Sequence, residues 1–550
     1  MAANIYPNIP KEKFAFVQTG ERLTDKKFVD KPVGYFRDAL RRFCRNRASI
    51  VAAVIIVAIF LFAFLTPLLT TGQDATLMDV NYKQKGPRNK FLSQYGIATG
   101  TISTTDNPKN VIRNYAIGIG TAIEIGATDW EGNTISIADS RGMDLQPVVS
   151  ASDPVTKNDD EWGLEKTTTY QVTYDDYLTV GFMYMDIEQS EFARIREWEE
   201  QNGIHVLYPM VAKNEYNPLG DADAYNNNMG AANYWYKASF SSSNKQKYIP
   251  MVTNAKGNLR KIDLTEKLDD LVLEDNYLRD EDGNLRYWIY SGGGTHDTAQ
   301  YKVRILYYNY YQYKNGFEPQ YLLGTDVQGY DLALRMAYGV RLSLLIAVIV
   351  SVINFLIGAV YGAIEGYYGG ATDIIMERIS DILAGMPFIV LATLFQMHLK
   401  DRVGAVGSLL FAYVLTGWIS TASRVRTQFY RFKNQEYVMA ARTLGAKDRR
   451  IIMKHIFPNS LGTLITSSAL VIPSVIFTES MLSYLGIIKL GGANITSLGT
   501  LLSDASDKWM SYPHLMIFPA LVISLLMISF NLFGNGLRDA FNPSLRGVED

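Results

Sequence analysis

From residue 50 to residue 69 the chain reads IVAAVIIVAIFLFAFLTPLL, 20 residues without a charged side chain. A helix of that length, rising about 1.5 Å per residue, spans the roughly 30 Å hydrocarbon core of a bilayer. Further apolar runs follow near residues 342–361, 382–398, 406–419, 461–485 and 515–533, which makes six expected crossings. The averages, a net charge of −2 and 48% hydrophobic residues, resemble a soluble protein only because two populations are mixed. Pro387, Gly407, Gly417 and Pro473 lie within or beside these runs. Such residues suit membrane helices that pack closely, where neighbours satisfy the freed backbone groups.

The flanks set an orientation. Residues 1–48 are polar and end in the basic stretch FRDALRRFCRNRAS, which places the N-terminus in the cytoplasm by the positive-inside rule. That stretch is far too long for the charged region of a signal peptide, and no small-residue cleavage site follows, so 49–70 reads as a retained first helix. The next run begins only near residue 342. Residues 71–320 therefore form one insertion on the outer side, 321–341 lead into the second helix, and 342–540 carry the remaining five. Residues 541–550 return to the cytoplasm. The insertion holds 35 acidic against 24 basic side chains, a net of −11.

An insertion of this size can bury its own core. The runs VIRNYAIGIG, TAIEIGA, TYQVTY, LRYWIY and YKVRILYYNYY read as strands, as does IHVLYPMV at 204–211. A helix is expected from Ser190, as N-cap, to about residue 202, with Phe192, Ile195 and Trp198 on one side and Gly203 as its stop. The domain reads as α+β and rich in tyrosine. With Cys44 the only cysteine of the chain, it folds without disulfides. No catalytic pattern emerges: His205 and His296 stand far apart, and neither HExxH nor a nucleophile elbow occurs. The acidic clusters Asp159-Asp160-Glu161 and Asp280-Glu281-Asp282 lack the spacing of a calcium loop and read as solvated surface.

The most informative stretch is EYVMAARTLGAKDRRIIMKHIFPN, from Glu436 to Asn459. Asn434 suits an N-cap, with Glu436 in the first turn where an acid complements the helix dipole. Val438, Ala441 and Leu444 give one apolar face, and Gly445 ends the helix. Asp448 then caps a second helix with Ile451, Ile452 and Ile456 on one side, which Pro458 stops. Arg442, Lys447, Arg449, Arg450 and Lys454 make the segment basic.

This helix–glycine–helix resembles the coupling loop of ABC-importer permeases, which docks into a cleft on the ATPase subunit. The match rests on Ala440, Ala441, Gly445 and Pro458. The family's usual Glu before the two alanines is Met439 here, so an ionic contact at that point is lost or replaced by an apolar one. The segment LGTDVQGYDLALRMAYGVRLSL, from Leu323, resembles the lead-in to the second helix in the dipeptide and oligopeptide branch, C-type subunit. Gly324, Thr325, Asp326, Gly329 and Asp331 match, while Tyr330 replaces the usual Arg. FRDALRRFCRNRAS and FNLFGNGLRDAFNPSL match the same branch, so the resemblance covers about 35–70 and 322–545 and skips the insertion.

The resemblance implies a polytopic α-helical membrane protein of the type I ABC importer permease fold, with six transmembrane helices. Its α+β extracytoplasmic domain is inserted between helices 1 and 2. It places ATPase coupling in the cytoplasmic loop 434–459, on Glu436, Met439, Ala440, Ala441, Gly445, Ala446, Arg449 and Pro458. Glu479, an acid inside the fifth run, either touches the pore or holds a structural hydrogen bond. His398, His455 and His514 read as structural. No GxxxxGK[ST] occurs, so ATP and Mg²⁺ belong to partner subunits and no cofactor to this chain. The implied partners are a B-type permease subunit, two ATPase subunits, an extracytoplasmic peptide-binding protein and membrane lipid, with no nucleic acid. The implied location is the plasma membrane of a prokaryote, and the implied role a non-catalytic half of a peptide-importing pore. The insertion is expected to form a scaffold over the pore mouth, or else a peripheral decoration. A permease for nickel or another small solute, and a membrane-anchored receptor acting through its ectodomain, are the alternatives. The receptor needs neither five further crossings nor a basic coupling loop.

Overall fold

The computed structural model describes residues 35–69, 78–122, 145–152, 155–158, 166–211, 277–293, 299–490 and 496–541, with short pieces at 135–136, 231–233, 239–240, 246–247 and 272–273. Among these, five helices are long and apolar enough to cross a membrane: Arg47–Leu68, Leu332–Tyr368, Phe388–Phe432, Asp448–Tyr484 and His514–Phe541. The third is not straight. Gly404 sits inside it at φ 77°, ψ 167°, a conformation that breaks the helix and suits only glycine. Gln396 Nε2 donates to the carbonyl of Ala405 at 2.8 Å, and the rings of Phe388 and Tyr413 meet at 4.8 Å. In a continuous helix Phe388 and Tyr413 would lie about 37 Å apart. The element is thus a hairpin of two antiparallel arms with its tip near residues 400–404.

The arms take up the apolar runs expected at 382–398 and 406–419, with one change. Ile382 belongs to a separate helix, Gly370–Ala384, and the first arm starts after Pro387, whose backbone lies at φ −60°, ψ 125°. The second helix also starts ten residues earlier than its apolar run, at Leu332. Asp331 caps it there by accepting from the N–H groups of Ala333 and Leu334 at 2.7 and 3.2 Å.

Two devices bind the helices together. Along the helix Leu332–Tyr368, Gly358, Gly362 and Gly366 recur every four residues and so share one face. The helix Ile419–Phe432 packs directly onto them. A Cβ at Gly358 or Gly366 would lie 2.7 Å from the carbonyl of Trp418 or the Cβ of Phe429, and one at Gly362 would overlap the carbonyl of Ala422. Backbones come this close only over small residues. The second device repairs a proline. Pro67 lies inside the helix Arg47–Leu69 and has no N–H for the carbonyl of Ala63, four residues before it. Arg341 supplies the missing donor: its Nε reaches Ala63 O at 2.7 Å and its Nη2 reaches Phe64 O at 3.3 Å.

The β-containing region lies in sequence between these two helices. One antiparallel sheet joins Trp288–Gly293, Ala299–Leu306 and Phe182–Glu188 in that order, with Leu207–Tyr208 also on Ala299–Leu306. A second joins Thr101–Asp106, Lys166–Asp175 and Val148–Ala151, with Val155–Asn158 on the central strand. The expected helix is present as Gln189–Asn202, but Glu188, not Ser190, is its N-cap residue, without a side-chain hydrogen bond, and Gly203 at φ 67° closes it. Its Glu199 is buried and accepts from the N–H groups of Val206 and Leu207 at 2.6 and 2.7 Å.

Three expected strands are corrected. VIRNYAIGIG lies in the helix Pro108–Ala122, where Pro108 opens the first turn and Asn107 Oδ1 accepts from Asn110 N at 3.0 Å. In YKVRILYYNYY the strand ends at Leu306, and Tyr307–Asn315 turns helical until Gly316, at φ 78°. Of IHVLYPMV only Leu207–Tyr208 is strand. Most of TAIEIGA, the cluster Asp159-Asp160-Glu161 and His296 lie outside the described residues. Asp280 holds a turn, its Oδ1 accepting from the N–H of Asp282 and Asn284 at 3.1 and 2.7 Å.

A neck joins this region to the membrane helices. The incoming arm and the lead-in to Leu332 pair directly, Arg88 with Tyr321 through both backbone bonds at 2.8 and 3.0 Å, and Thr325 N with Lys85 O at 3.0 Å. Above it the tyrosines interlock. Tyr82 is fully buried, with its ring 5.2, 5.1 and 5.4 Å from those of Tyr177, Tyr307 and Tyr311. Tyr307 Oη donates to the Asp79 carboxylate at 2.7 Å. The tyrosine-rich composition is thus concentrated in a core beside the neck.

Candidate functional site: the coupling segment and the polar core of the membrane helices

The helix Glu436–Thr443 is seated by two side chains, Val438 and Ala441, both buried. Val438 joins Ile451, Ile456 and Leu464 in one cluster with Val425 and Phe429 of the neighbouring helix and with Tyr367. Asp448 accepts from Tyr367 Oη, so the second turn of the segment is tied to the end of the long helix. Gly445, at φ 80°, makes the bend between them, a backbone state that other residues adopt only with strain.

The outward side of the segment mixes apolar and basic residues, with Arg442, Lys447, Arg449, Arg450 and Lys454 all exposed. Met439 is 56% exposed, Met453 58% and Leu444 88%, with Ala440 and Glu436 also at the surface. Ala446 is half-buried, Arg449 exposed and Pro458 exposed. The structure therefore separates the two alanines: Ala440 faces solvent and Ala441 faces the chain's own core.

Four local expectations are corrected, the first being that Lys447, not Asp448, is the N-cap of the second helix. Gln435, not Asn434, is the N-cap of Glu436–Thr443, and no side chain completes it. Leu444 does not continue the face of Val438 and Ala441, because it is the C-cap residue at φ −77°, ψ 6°, where the helical period has ended. Pro458 does not stop the second helix. The chain runs from Asp448–Ile451 through a π-turn at Ile452–Ile456 into Phe457–Ala469, with Pro458 in the first turn of the last piece. The widened turn shifts the hydrogen-bond register where the proline has no N–H to give.

Deeper in the helices, Glu479 is fully buried. Its Oε2 accepts from Ser343 Oγ at 2.9 Å and its Oε1 from Ser483 Oγ at 3.0 Å. Ser497, the N-cap of the short helix Leu498–Ala505, meets Ser483 at 3.4 Å. This hydroxyl cage makes Glu479 a tie between three helices. A separate recess of about 330 Å³ is lined by Asn354, Ser420, Arg424, Ser467, Ser474 and Thr478, among others. It offers a polar wall among otherwise apolar helices.

Charge reading of the sequence missed a further network. Arg426 donates to Asp373 through Nε at 2.6 Å and Nη2 at 2.9 Å, and to Glu377 through Nη1 at 2.9 Å. Tyr430 Oη also donates to Asp373, at 2.6 Å. The Arg426 hydrogen bonds hold the Asp373 carboxyl below its usual range. The spacing of Arg426 and Tyr430 by four residues was the available signal, since it puts both on one helical face.

At the lead-in, Asp326 accepts from the N–H groups of Gln328, Gly329 and Tyr330, each at 2.9 Å, and from Arg335 Nε at 3.3 Å. Arg335 in turn stacks on Tyr330 at 4.8 Å. Asp331 is buried, and desolvation pushes its carboxyl up to about 6, against the two capping N–H groups. The folded state then holds the proton more tightly than the unfolded chain, so this contribution to stability is present at low pH and is lost as pH rises through about 6. Asn caps helices about as well as Asp without titrating. Asp331→Asn is therefore expected to flatten the stability-versus-pH curve between about 4 and 6 and to melt higher than wild type at pH 7. Thermal melts of the purified protein across that range test this; a lower melting temperature for Asp331→Asn at pH 7 contradicts it.

The sequence profile described as "Binding-protein-dependent transport system inner membrane component" matches residues 357–547, and the "N-terminal TM domain of oligopeptide transport permease C" matches residues 34–87. The oligopeptide transport system permease protein OppC of Bacillus subtilis (strain 168) is 43% identical over 223 residues, 40% of this chain and 72% of that protein. The chain belongs to the OppC/DppC-like ABC permeases. This family member is similar as well to the dipeptide transport system permease protein DppC of the same organism, 41% identical over 40% of the chain and 68% of that protein. OppC of Haemophilus influenzae is 41% identical over 42% of the chain and 72% of that protein. A solved structure described as inward facing conformations of the MetNI methionine ABC transporter covers 38% of the chain and 96% of its own, at 17% identity and TM-score 0.32. The permease is a multi-pass helical membrane protein with an additional β-containing region, and the two profile matches flank residues 88–356.

Proposed function

We propose that this permease is one half of a heterodimeric pore that imports peptides at the expense of ATP hydrolysed by partner subunits. The observation that carries the reading is the segment 436–459. It is clamped from behind by Val438, Ala441, Ile451 and Tyr367, and it turns Ala440, Met439 and Leu444 to solvent. A rigidly backed surface that sets exposed Met439, Leu444 and Met453 among basic side chains suits a partner's cleft. Met439, where an acid is usual, makes that contact apolar. ATP and Mg²⁺ belong to two ATPase subunits, and a B-type permease subunit completes the pore beside the polar recess at Asn354, Ser420 and Ser474. Peptide as the cargo follows from the named activities of the relatives.

The hairpin at Gly404 counts as two crossings, so the five long helices make six transits and return the C-terminus to the side of the N-terminus. Residues 71–320 then stand on the outer face, above the neck, and 434–459 lie in the cytoplasm. There the insertion acts as a scaffold at the pore mouth that receives the extracytoplasmic binding protein or braces the partner permease. Cysteine labelling of spheroplasts, in a Cys44→Ser background, tests the arrangement. A membrane-impermeant maleimide is expected to label Thr104→Cys from outside and to label Lys447→Cys only after lysis. Labelling of Lys447→Cys in intact spheroplasts overturns it.

A further inference from the structure

Where the insertion meets the segment Met510–Tyr512, ahead of the last long helix, it encloses a polar cleft of about 590 Å³. That volume falls in the range, roughly 300–1,000 Å³, that holds a small ligand. The arm at Asn81 and Lys85, the strand Thr101–Asp106 and the first turns of Pro108–Ala122 supply most of its walls.

The acids of the cleft are already engaged. Asp176 accepts from Lys85 Nζ at 2.9 Å and from the N–H of Gly86 at 3.2 Å. Asp106 accepts from Asn110 Nδ2 at 2.8 Å and from Tyr174 Oη at 3.1 Å. Two neighbouring groups are not satisfied. Arg113 Nε is buried without a hydrogen-bond partner, and so is the Oδ1 of Asn114, a residue only 7% exposed. Asn114 Nδ2 donates to the carbonyl of Asn110 at 3.0 Å, which fixes the oxygen as the end left over. A buried donor and a buried acceptor without partners are each costly, and native structures resolve them with a ligand or water.

The pair is selective in what it accepts. The guanidinium calls for an anion, and the amide oxygen calls for an N–H beside it. The last residue of a peptide carries both, a carboxylate and, one Cα away, an amide N–H. We propose that this cleft binds the carboxylate end of a short peptide, Arg113 taking the carboxylate and Asn114 the adjacent N–H. The inference rests on the reading of the chain as a peptide permease and gives the insertion a direct part in handling cargo.

The test uses the full chain with its partner permease and ATPase subunits in lipid nanodiscs, without the extracytoplasmic binding protein. Equilibrium dialysis compares radiolabelled trialanine with trialanine amide. Wild type is expected to hold the free acid at least about tenfold more tightly than the amide, as a charge-assisted bidentate contact implies. Arg113→Gln should bring that ratio to about one and Arg113→Lys should keep part of it, with ATPase co-purification reporting that both variants are folded. Equal binding of acid and amide by wild type, or an undiminished ratio in Arg113→Gln, overturns the proposal and leaves a water-filled junction. ATP-driven peptide uptake into sealed proteoliposomes, with the extracytoplasmic binding protein restored, separates the two levels. Uptake without acid selectivity in the cleft removes the cleft alone, whereas acid selectivity without any uptake removes the permease reading.

Discussion

Gly362→Leu is expected to leave no transport-competent protein. The Cβ alone would overlap the carbonyl of Ala422 and come within 2.9 Å of the Cβ of Val425. Both belong to a helix that is seated on Gly358 and Gly366 one turn to either side. A clash with backbone cannot be relieved by a rotamer change, so the two helices must separate along the whole stripe. Overpacking of a tight core typically costs about 1–3 kcal/mol where side chains can yield, and the larger figure is the floor here. The same helix, Ile419–Phe432, leads directly into the segment 436–459, so its displacement also unseats Val438 from Val425 and Phe429. Leu345, 57% exposed and more than four turns away along the same helix as Gly362, provides the control. Leu345→Ala should insert, melt and transport nearly as wild type, while Gly362→Leu should aggregate on extraction or melt far lower. Equal melting temperatures for the two variants contradict the packing argument.

Leu444→Asp is expected to uncouple transport without unfolding the permease. Leu444 touches little within the chain, being 88% exposed, so a charge there has almost no cost in the isolated subunit. In the proposed seat on a partner the same charge would be desolvated, and disrupting such a central contact costs about 2 kcal/mol or more. Peptide uptake should then fall by roughly thirtyfold or more at unchanged membrane levels. Ala441→Trp gives the informative contrast, since Ala441 is buried against the chain's own core and its enlargement should lower the melting temperature before any partner binds. Reconstituted vesicles with the ATPase subunits measure uptake, and thermal melts of the permease alone measure folding. Normal uptake by Leu444→Asp removes Leu444 from the coupling surface.

The membrane helices were legible because apolar length is a local property of the sequence. The hairpin could be anticipated from two apolar runs divided by Lys400, Asp401 and Arg402, although its bend depends on Gly404 adopting a positive φ. The stripe Gly358, Gly362 and Gly366 was equally readable from its spacing of four, yet it carries no hydropathy signal and passes for ordinary apolar sequence. In the coupling segment the three-residue spacing of Val438, Ala441 and Leu444 suggested one face. The period held only while the chain stayed helical, and it ended one residue before Leu444. Pro458 looked like a stop because the local rule assumes an α-helix, whereas a π-turn upstream changes the register.

The insertion was harder for a physical reason. Its alternating β-branched residues at 111–120 satisfy a strand pattern and a half-buried helix about equally well, and Asn107-Pro108 was the deciding cap. Which tyrosines gather around Tyr82 depends on contacts between residues far apart in sequence, as between Tyr82 and Tyr307, 225 positions on. Local periodicity carries no information at that range. The cleft at Arg113 and Asn114 is of the same kind, since its walls come from four separate stretches of chain.

The proposed coupling requires residues 436–459 to meet an ATPase subunit in the cytoplasm, and disulfide-independent cross-linking measures this directly. In a Cys44→Ser background, Ala440→Cys and Leu444→Cys permeases are co-expressed with the ATPase subunits and treated with a short bifunctional maleimide in inside-out vesicles. Both positions should cross-link to an ATPase subunit, and the yield should change on adding ATP, while the buried Val438→Cys should not react. If neither Ala440→Cys nor Leu444→Cys yields an ATPase adduct in an assembled, ATP-hydrolysing complex, the segment is not the coupling surface.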